Sequence, residues 1–236
     1  MKKLLAGLLL LATLVPSIKA QDYIFDNPDN SSYWGVRLGF DVVSLQSPSN
    51  FYNNRGGIEI GAIYNLPLWK NLFFEPGASL FYNSAGINGI VAQLGQEIIV
   101  SPSGTLNNWG IRIPLNFGYH FDVTDVIQIV PFTGPQFNIN FANSQSYNGP
   151  GFWSNSGPSL QTNGMDFGWG FGVGVKYLKY YIGISGTVGI TRYVTYNPDA
   201  YKTQYNPDPA QMSHDFGPYP LQARRNLFQI TLGYNF

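Results

Sequence analysis

Cysteine is absent from this 236-residue chain, so disulfides cannot staple it, thiolate metal sites are excluded, and it has no N-terminal Cys to carry a lipid anchor. Charge is scarce as well. Asp, Glu, Lys and Arg make up 11% of the residues, against about 25% in ordinary soluble domains. Histidine occurs only as His120 and His214, which leaves no pair at metal-ligand spacing. Long apolar runs are missing too. The stretch from Leu4 to Val15 is shorter than the roughly 20 apolar residues that a membrane-spanning helix needs.

That short run has another reading. Lys2 and Lys3 precede it, and Pro16 and a polar stretch ending at Ala20 follow it. A basic start, a brief apolar segment and a small exit residue make a secretory signal peptide. Residues 1–20 are expected to be removed, leaving 21–236 as one domain; Ile18, at the −3 position, is a less typical choice than Ala. Removal takes away Lys2, Lys3 and Lys19 and no acid, leaving ten basic and thirteen acidic side chains, a net charge of −3. That is too mild to imply a nucleic-acid partner. What the chain has in plenty is 27 Gly, 16 Tyr and 17 Phe. An exported, aromatic-rich chain without a helical span has one other way to cross a bilayer, because only a closed barrel also satisfies its own backbone.

Period-two alternation supports that option in eight segments. The first sets Trp34, Val36, Leu38, Phe40 and Val42 against Gly35, Arg37, Gly39 and Asp41. The second sets Ile58, Ile60, Ala62, Tyr64 and Leu66 against Gly57, Glu59, Gly61 and Asn65. Similar patterns run through 72–82, 109–120, 127–141, 167–177, 180–190 and 228–236. Asp, Glu, Lys and Arg are absent from all eight apolar faces. Arg37, Asp41, Glu59, Glu75, Arg112 and Lys176 all fall on the polar faces. A lipid-facing Arg or Lys costs roughly 2–4 kcal/mol at the membrane midplane, which accounts for the segregation.

Connections alternate in length. Pro67–Asn71, Asp122–Val126 and Leu178–Lys179 are short, whereas Val43–Arg55, Asn83–Asn108, Ala142–Met165 and Thr191–Arg225 are long. Short turns at one rim and long loops at the other are the pattern of outer-membrane barrels. Tyr64, Trp69, Tyr119, Phe121, Tyr177, Tyr180, Tyr234 and Phe236 fall near the short-turn rim, with Tyr82, Trp109, Phe141, Phe167, Trp169 and Phe228 near the other. Such girdles mark the two membrane interfaces. The expected fold is therefore all-β: an eight-stranded antiparallel up-and-down transmembrane β-barrel in the outer membrane of a Gram-negative cell, with both termini periplasmic. The competing reading is a soluble lipocalin-like ligand carrier with its apolar face turned inward.

The chain ends NLFQITLGYNF, with Phe236 last and Tyr234, Leu232 and Ile230 at the alternate positions before it. This resembles the C-terminal signal that the barrel-assembly machinery reads, so Tyr234 and Phe236 are the assembly-signal candidates. Size and strand count resemble the OmpA/OmpX class. More narrowly, WGIRIPLNFGYHF (109–121) and PFTGPQFNINF (131–141) resemble the PorT-like group of outer-membrane barrels, which often carries an IPL segment on one strand and a Gly-Pro pair on the next. That resemblance implies fold and location; the group has no single established activity.

Pro76, Pro114, Pro131 and Pro135 fall inside expected strands, where each removes a ladder hydrogen bond. One arrangement places Pro114 opposite Pro131 in a shared disrupted patch, with a one-residue slip of the inward and outward faces in the fifth strand. The barrel interior, just wide enough to be filled by side chains, is expected to hold Arg37, Arg112 and Lys176 against Asp41, Glu59 and Glu75 as a structural polar network. A narrow conduit is the functional alternative, which the inward glycines favour and Phe73, Phe81, Phe132 and Tyr181 oppose. No catalytic residues, metal ligands or cofactors are assigned. Ser213, His214 and Asp215 are consecutive and cannot converge as a triad without a special turn.

The YNPD repeats at Tyr196–Asp199 and Tyr205–Asp208 read as turns. The long loops, rich in Asn, Ser, Gly and Tyr, are where an extracellular ligand would bind. The expected role is a non-enzymatic barrel that contributes to the envelope or binds through its loops, with outer-membrane lipid and the assembly machinery as partners. A small pore and an outer-membrane lipid-modifying enzyme are the alternatives.

Overall fold

A computed structural model describes residues 31–47, 51–88, 90–94, 97–101, 103–148, 160–196 and 222–236. The expected signal peptide, His214 and the second YNPD repeat lie outside these. In chain order the elements are β1 (Tyr33–Gln46), β2 (Tyr52–Asn53), β3 (Arg55–Trp69), β4 (Leu72–Ile87), β5 (Ile90–Leu94), β6 (Glu97–Ser101) and β7 (Ser103–Tyr119). They continue with β8 (Phe121–Thr124), β9 (Ile127–Asn148), β10 (Leu160–Thr162), β11 (Met165–Tyr177), β12 (Tyr180–Gly189), β13 (Arg192–Tyr196) and β14 (Ala223–Asn235). Antiparallel pairing runs β1-β3-β4-β7-β9-β11-β12-β14 and closes through β1–β14, with Leu38 opposite Leu232. The protein is a closed eight-stranded β-barrel, and closure leaves no edge among these strands.

Side-chain exposure follows the period-two pattern. Along β1, residues 34, 36, 38, 40 and 42 are exposed while 35, 37, 39 and 41 are buried. Ile60, Phe171 and Ile182 are all more than half exposed on the outer wall, so the apolar face turns outward. This is the opposite of the lipocalin-like alternative. From Trp34 to Val42 the outer apolar stripe runs about 26 Å along the strand at roughly 3.3 Å per residue, within the length that tilted membrane strands need. The rims carry aromatic pairs: Trp34–Tyr64 and Tyr119–Phe121 at the short-turn end, Tyr82–Trp109 and Phe137–Phe167 towards the other.

The strands run further than the sequence pattern indicated. β1 continues to Gln46, β4 to Ile87 and β9 to Asn148, β7 begins at Ser103, and β5 pairs with β6 as a separate ribbon. Much of what read as loop is sheet. The reason is that the alternation inverts beyond the aromatic girdle. Val43, Leu45, Ala85, Ile87 and Leu106 point inward and are buried, whereas Gln46 is exposed and Ser44, Ser84 and Asn107 are only half-buried on the outer face. Lipid contact ends there, so the apolar side turns away from water as in a soluble protein. With Phe51, Leu160, Tyr193, Val194, Ala223 and Leu227 these residues form an apolar plug across the loop end.

Two short connections are tighter than expected, with two-residue turns at Lys70–Asn71 and Asp125–Val126, and the third is the expected two-residue turn at Leu178–Lys179. Lys70 (φ 50°) and Leu178 (φ 52°) adopt the left-handed conformation, which a Cβ disfavours. Leu178→Gly is expected to raise stability by about 0.5–1 kcal/mol, after its larger unfolded-state entropy is allowed for. Chemical unfolding in detergent micelles measures it.

The prolines line up. Pairing is interrupted between β3 and β4 at 64–65 and 75–76, between β4 and β7 at 77–78 and 113–114, and between β7 and β9 at 115–116 and 134–135. Pro76, Pro114 and Pro135 sit in these three gaps and form one oblique seam. Pro114 lies opposite Gln136 rather than Pro131, which corrects the shared-patch arrangement. Pro131 lies where β7 gives way to β8. The fifth strand keeps its faces without slipping from 127 to 140; the register shift comes at Phe141, an extra residue between Asn140 and Ala142. Across the seam, backbone amides are expected to exchange at least tenfold faster than those of Leu38–Phe40 or Gly170–Gly174. Uniform protection in a hydrogen-exchange experiment on the micellar protein would contradict this.

Candidate functional site: the barrel interior

Every inward position is set by its strand's phase, so the interior can be read level by level. At mid-barrel, Arg112 on β7 meets two acids. Its Nη2 lies 3.2 Å from Asp41 Oδ2 on β1, and its Nη1 pairs with Glu59 Oε2 on β3. Arg112 Nε donates to Asn138 Oδ1 at 3.2 Å, Ser79 Oγ to Glu59 at 3.3 Å and Gln229 Nε2 to Asp41 Oδ1 at 2.7 Å. Buried ions need this full satisfaction, since desolvation otherwise outweighs their attraction.

The network continues upward through two residues that the sequence reading missed. Arg225 pairs with Asp166, and Asp166 also accepts from Asn138 Nδ2 (2.9 Å) and Asn140 Nδ2 (2.8 Å). Asp166 stands just before the alternating run 167–177, and Arg225 closes the long connection Thr191–Arg225. Extending the alternation of β11 by one residue, and that of β14 by three, would have placed both inside. Both arginines lie against the Phe81 ring, with each guanidinium carbon 5.0 Å from its centre. Arg225 also lies 4.4 Å from the centre of the Tyr193 ring, which belongs to the apolar plug.

The six expected charges do not form a single cluster. Asp41, Glu59 and Arg112 come together at mid-barrel, while Arg37, Glu75 and Lys176 gather at the turn end. There Arg37 lies 4.3 Å over the Tyr181 ring and Lys176 Nζ 4.4 Å over Tyr33. Asn65 Nδ2 contacts Glu75 Oε2 at 3.4 Å and His120 Nε2 at 3.5 Å, and the His120 ring stacks on Phe73 at 4.5 Å.

Inward glycines make room for rings. A Cβ on Gly110 would meet Phe81 at 2.4 Å, on Gly118 would meet Phe73 at 2.4 Å, and on Gly172 would meet Phe132 at 2.6 Å. Gly174 and Gly183, directly paired, both lie under Tyr181. At the chain's end, Tyr234 packs on Tyr180 at 5.6 Å and on Phe236 at 5.3 Å, while Phe236 N donates to Trp34 O at 2.8 Å. On the outer wall Trp169 Nε1 donates to Thr133 Oγ1 (2.8 Å), which itself donates to Gly170 O (2.9 Å). Polar atoms facing hydrocarbon are thereby satisfied within the sheet.

A closed barrel with an apolar exterior, a paired polar interior and aromatic rims defines a β-barrel membrane protein. Residues 20–192 match the family model for the outer membrane protein beta-barrel domain, and the chain belongs to that family, whose setting is the bacterial outer membrane. None of the curated proteins matches the chain. Among solved structures it is similar to OprG from Pseudomonas aeruginosa, with 12% identity, a TM-score of 0.46, and 87% of this chain and 96% of that one covered. It is likewise similar to Neisserial surface protein A, with 13% identity, a TM-score of 0.40 and coverage of 87% and 97%. A third is Ail, the attachment invasion locus protein of Yersinia pestis, in complex with the heparin analogue sucrose octasulfate, with 8% identity, a TM-score of 0.39 and coverage of 87% and 99%.

Proposed function

We propose that this protein is a non-enzymatic barrel that contributes to the envelope and presents its loop end for binding, with its short turns and both termini in the periplasm. The observation that carries this is the filled interior. Paired charges, glycine-seated rings and the apolar plug occupy successive levels, so the interior offers little to conduct or to react. That disfavours the small pore and supports recognition at the outer loops. Outer-membrane lipid is the partner for the exposed apolar wall, and the assembly machinery for the last strand with Tyr234 and Phe236. The PorT-like resemblance belongs to the same reading: Ile113-Pro114-Leu115 and Gly134-Pro135 lie on neighbouring strands at the proline seam, so both motifs act in shaping the wall.

Extracellular protease on intact cells, followed by gel mobility of heated and unheated outer-membrane fractions, tests the reading. The expected result is a compact, heat-modifiable species cut only in the long loops. Cleavage in the short turns would reverse the orientation. Discrete conductance in planar bilayers would favour the pore.

A further inference from the structure

Charge on the outer surface of the barrel is sorted by rim. At the turn rim, exposed Lys70 and Lys179 are accompanied by exposed Asp122 and Asp125. At the loop rim, the outward charges among the described side chains are Arg55, Arg192 and Arg224, all exposed, with no acid among them. The acids of that half, Asp41, Glu59 and Asp166, point inward and are held by Arg112 and Arg225.

The three arginines stand just beyond the lipid-facing wall. Arg224 shares its face of β14 with Asn226 and with Phe228 of the aromatic girdle. Asn226 Nδ2 donates to Gln46 Oε1 at 3.2 Å, and its Oδ1 accepts from Gly189 N at 2.9 Å. A neutral polar band therefore separates Arg224 from the apolar wall. Arg224 lies opposite Gln46 on one side and Arg192 on the other, and Arg192 follows exposed Ile190 by two residues. Arg55 lies opposite Val43, one residue beyond Val42, where the exposed stripe of β1 ends. A Cβ on Gly86 would lie 3.2 Å from Arg55 Nε, so this arm crosses the outer face of β4. Four residues of strand tilted by about 45° put Arg224 roughly 9 Å above Phe228 along the membrane normal, and the other two lie closer to the wall. That is the depth of the headgroup layer.

We propose that this rim binds the anionic, phosphate-bearing headgroups of the leaflet around it. A guanidinium presents a planar fork of donors that matches phosphate oxygens. Like charges directly opposite each other on neighbouring strands repel, and a phosphate shared by Arg192 and Arg224 relieves them. Arg55, two strands from Arg224, takes a second headgroup. The rim continues the apolar wall, so acyl chains lying on Phe40, Val42 and Phe228 hold their headgroups at the level of the arginines. This favours lipid over a soluble anion. The inference rests on the orientation proposed above only for the identity of the leaflet, which is then the outer one.

The test is the lipid selectivity of the barrel in phosphatidylcholine vesicles, read by electron spin resonance of trace spin-labelled phosphatidylglycerol against spin-labelled phosphatidylcholine. Averaged over the wall, the anionic probe should be preferred about threefold, and the preference should fall as sodium chloride is raised. Arg224→Gln should remove part of it, and the triple variant Arg55→Gln, Arg192→Gln, Arg224→Gln nearly all. Lys70→Gln with Lys179→Gln should leave it unchanged. Arg224→Gln alone, at an exposed position, keeps the test usable if the triple variant fails to fold. A preference that is absent, that survives the arginine variants, or that the two lysines carry would overturn the rim. So would a soluble sulfated polysaccharide that binds the arginines while lipid selectivity is missing. Both leaflets of these vesicles are alike, so a reversed orientation in cells leaves this result untouched and shows only in the protease experiment.

Discussion

Arg112→Met is expected to lower unfolding free energy by about 3–5 kcal/mol, because it strands Asp41 and Glu59 as buried, uncompensated charges. Both carboxylates face this guanidinium from different strands, and both are less than 10% exposed. The loss arises from the acids left behind rather than from the ion pair itself. The triple variant Asp41→Asn, Glu59→Gln, Arg112→Met should therefore recover most of it. Urea unfolding in micelles, followed by tryptophan fluorescence, distinguishes the two variants. Equal destabilisation of both would show that Arg112 acts through packing alone.

The second large effect is at Phe81. Its side chain is fully buried, opposite Gly110 and in contact with Arg112 and Arg225. Phe81→Ala should cost about 3–5 kcal/mol through the cavity it opens, with the two cation–π contacts adding to the loss. Gly110→Ala is itself expected to destabilise, since its Cβ would meet the Phe81 ring at 2.4 Å and Ile139 O at 2.6 Å. In the Phe81→Ala background the first of these clashes is gone. A double-mutant cycle should then show Gly110→Ala costing less there than in the wild type. Additive losses would mean that ring and glycine do not share one space. The Phe81→Ala barrel should still fail to conduct, because Ile87 and Leu106 remain in the plug above the new cavity.

These expectations rest on features of unequal visibility in the sequence. The lipid-facing stripes were legible, because hydrocarbon tolerates no charge on alternate residues and the pattern repeats eight times. Arg37, Asp41, Glu59, Glu75, Arg112 and Lys176 were placed inside by the same parity. Their division into two groups was not legible, since parity gives the face of a strand and not its height beside a neighbour. Asp166 and Arg225 were missed because each lies at the edge of an alternating run, where the neighbours no longer alternate in the expected sense.

The plug escaped notice for a related reason. Val43, Leu45, Ala85, Ile87 and Leu106 carry the same period as the stripes but the opposite phase, so a reading that waited for outward apolar residues passed over them. The phase changes where the surroundings change from lipid to water. What the sequence by itself determined was the barrel, its strand count and its inner and outer faces, because each follows from a local period of two and from the cost of charge in lipid. What only the tertiary structure decided was register: which charges pair, and that three prolines on successive strands align into one seam. Register depends on contacts between segments far apart in the chain, and a period of two is the same at every shift of two residues.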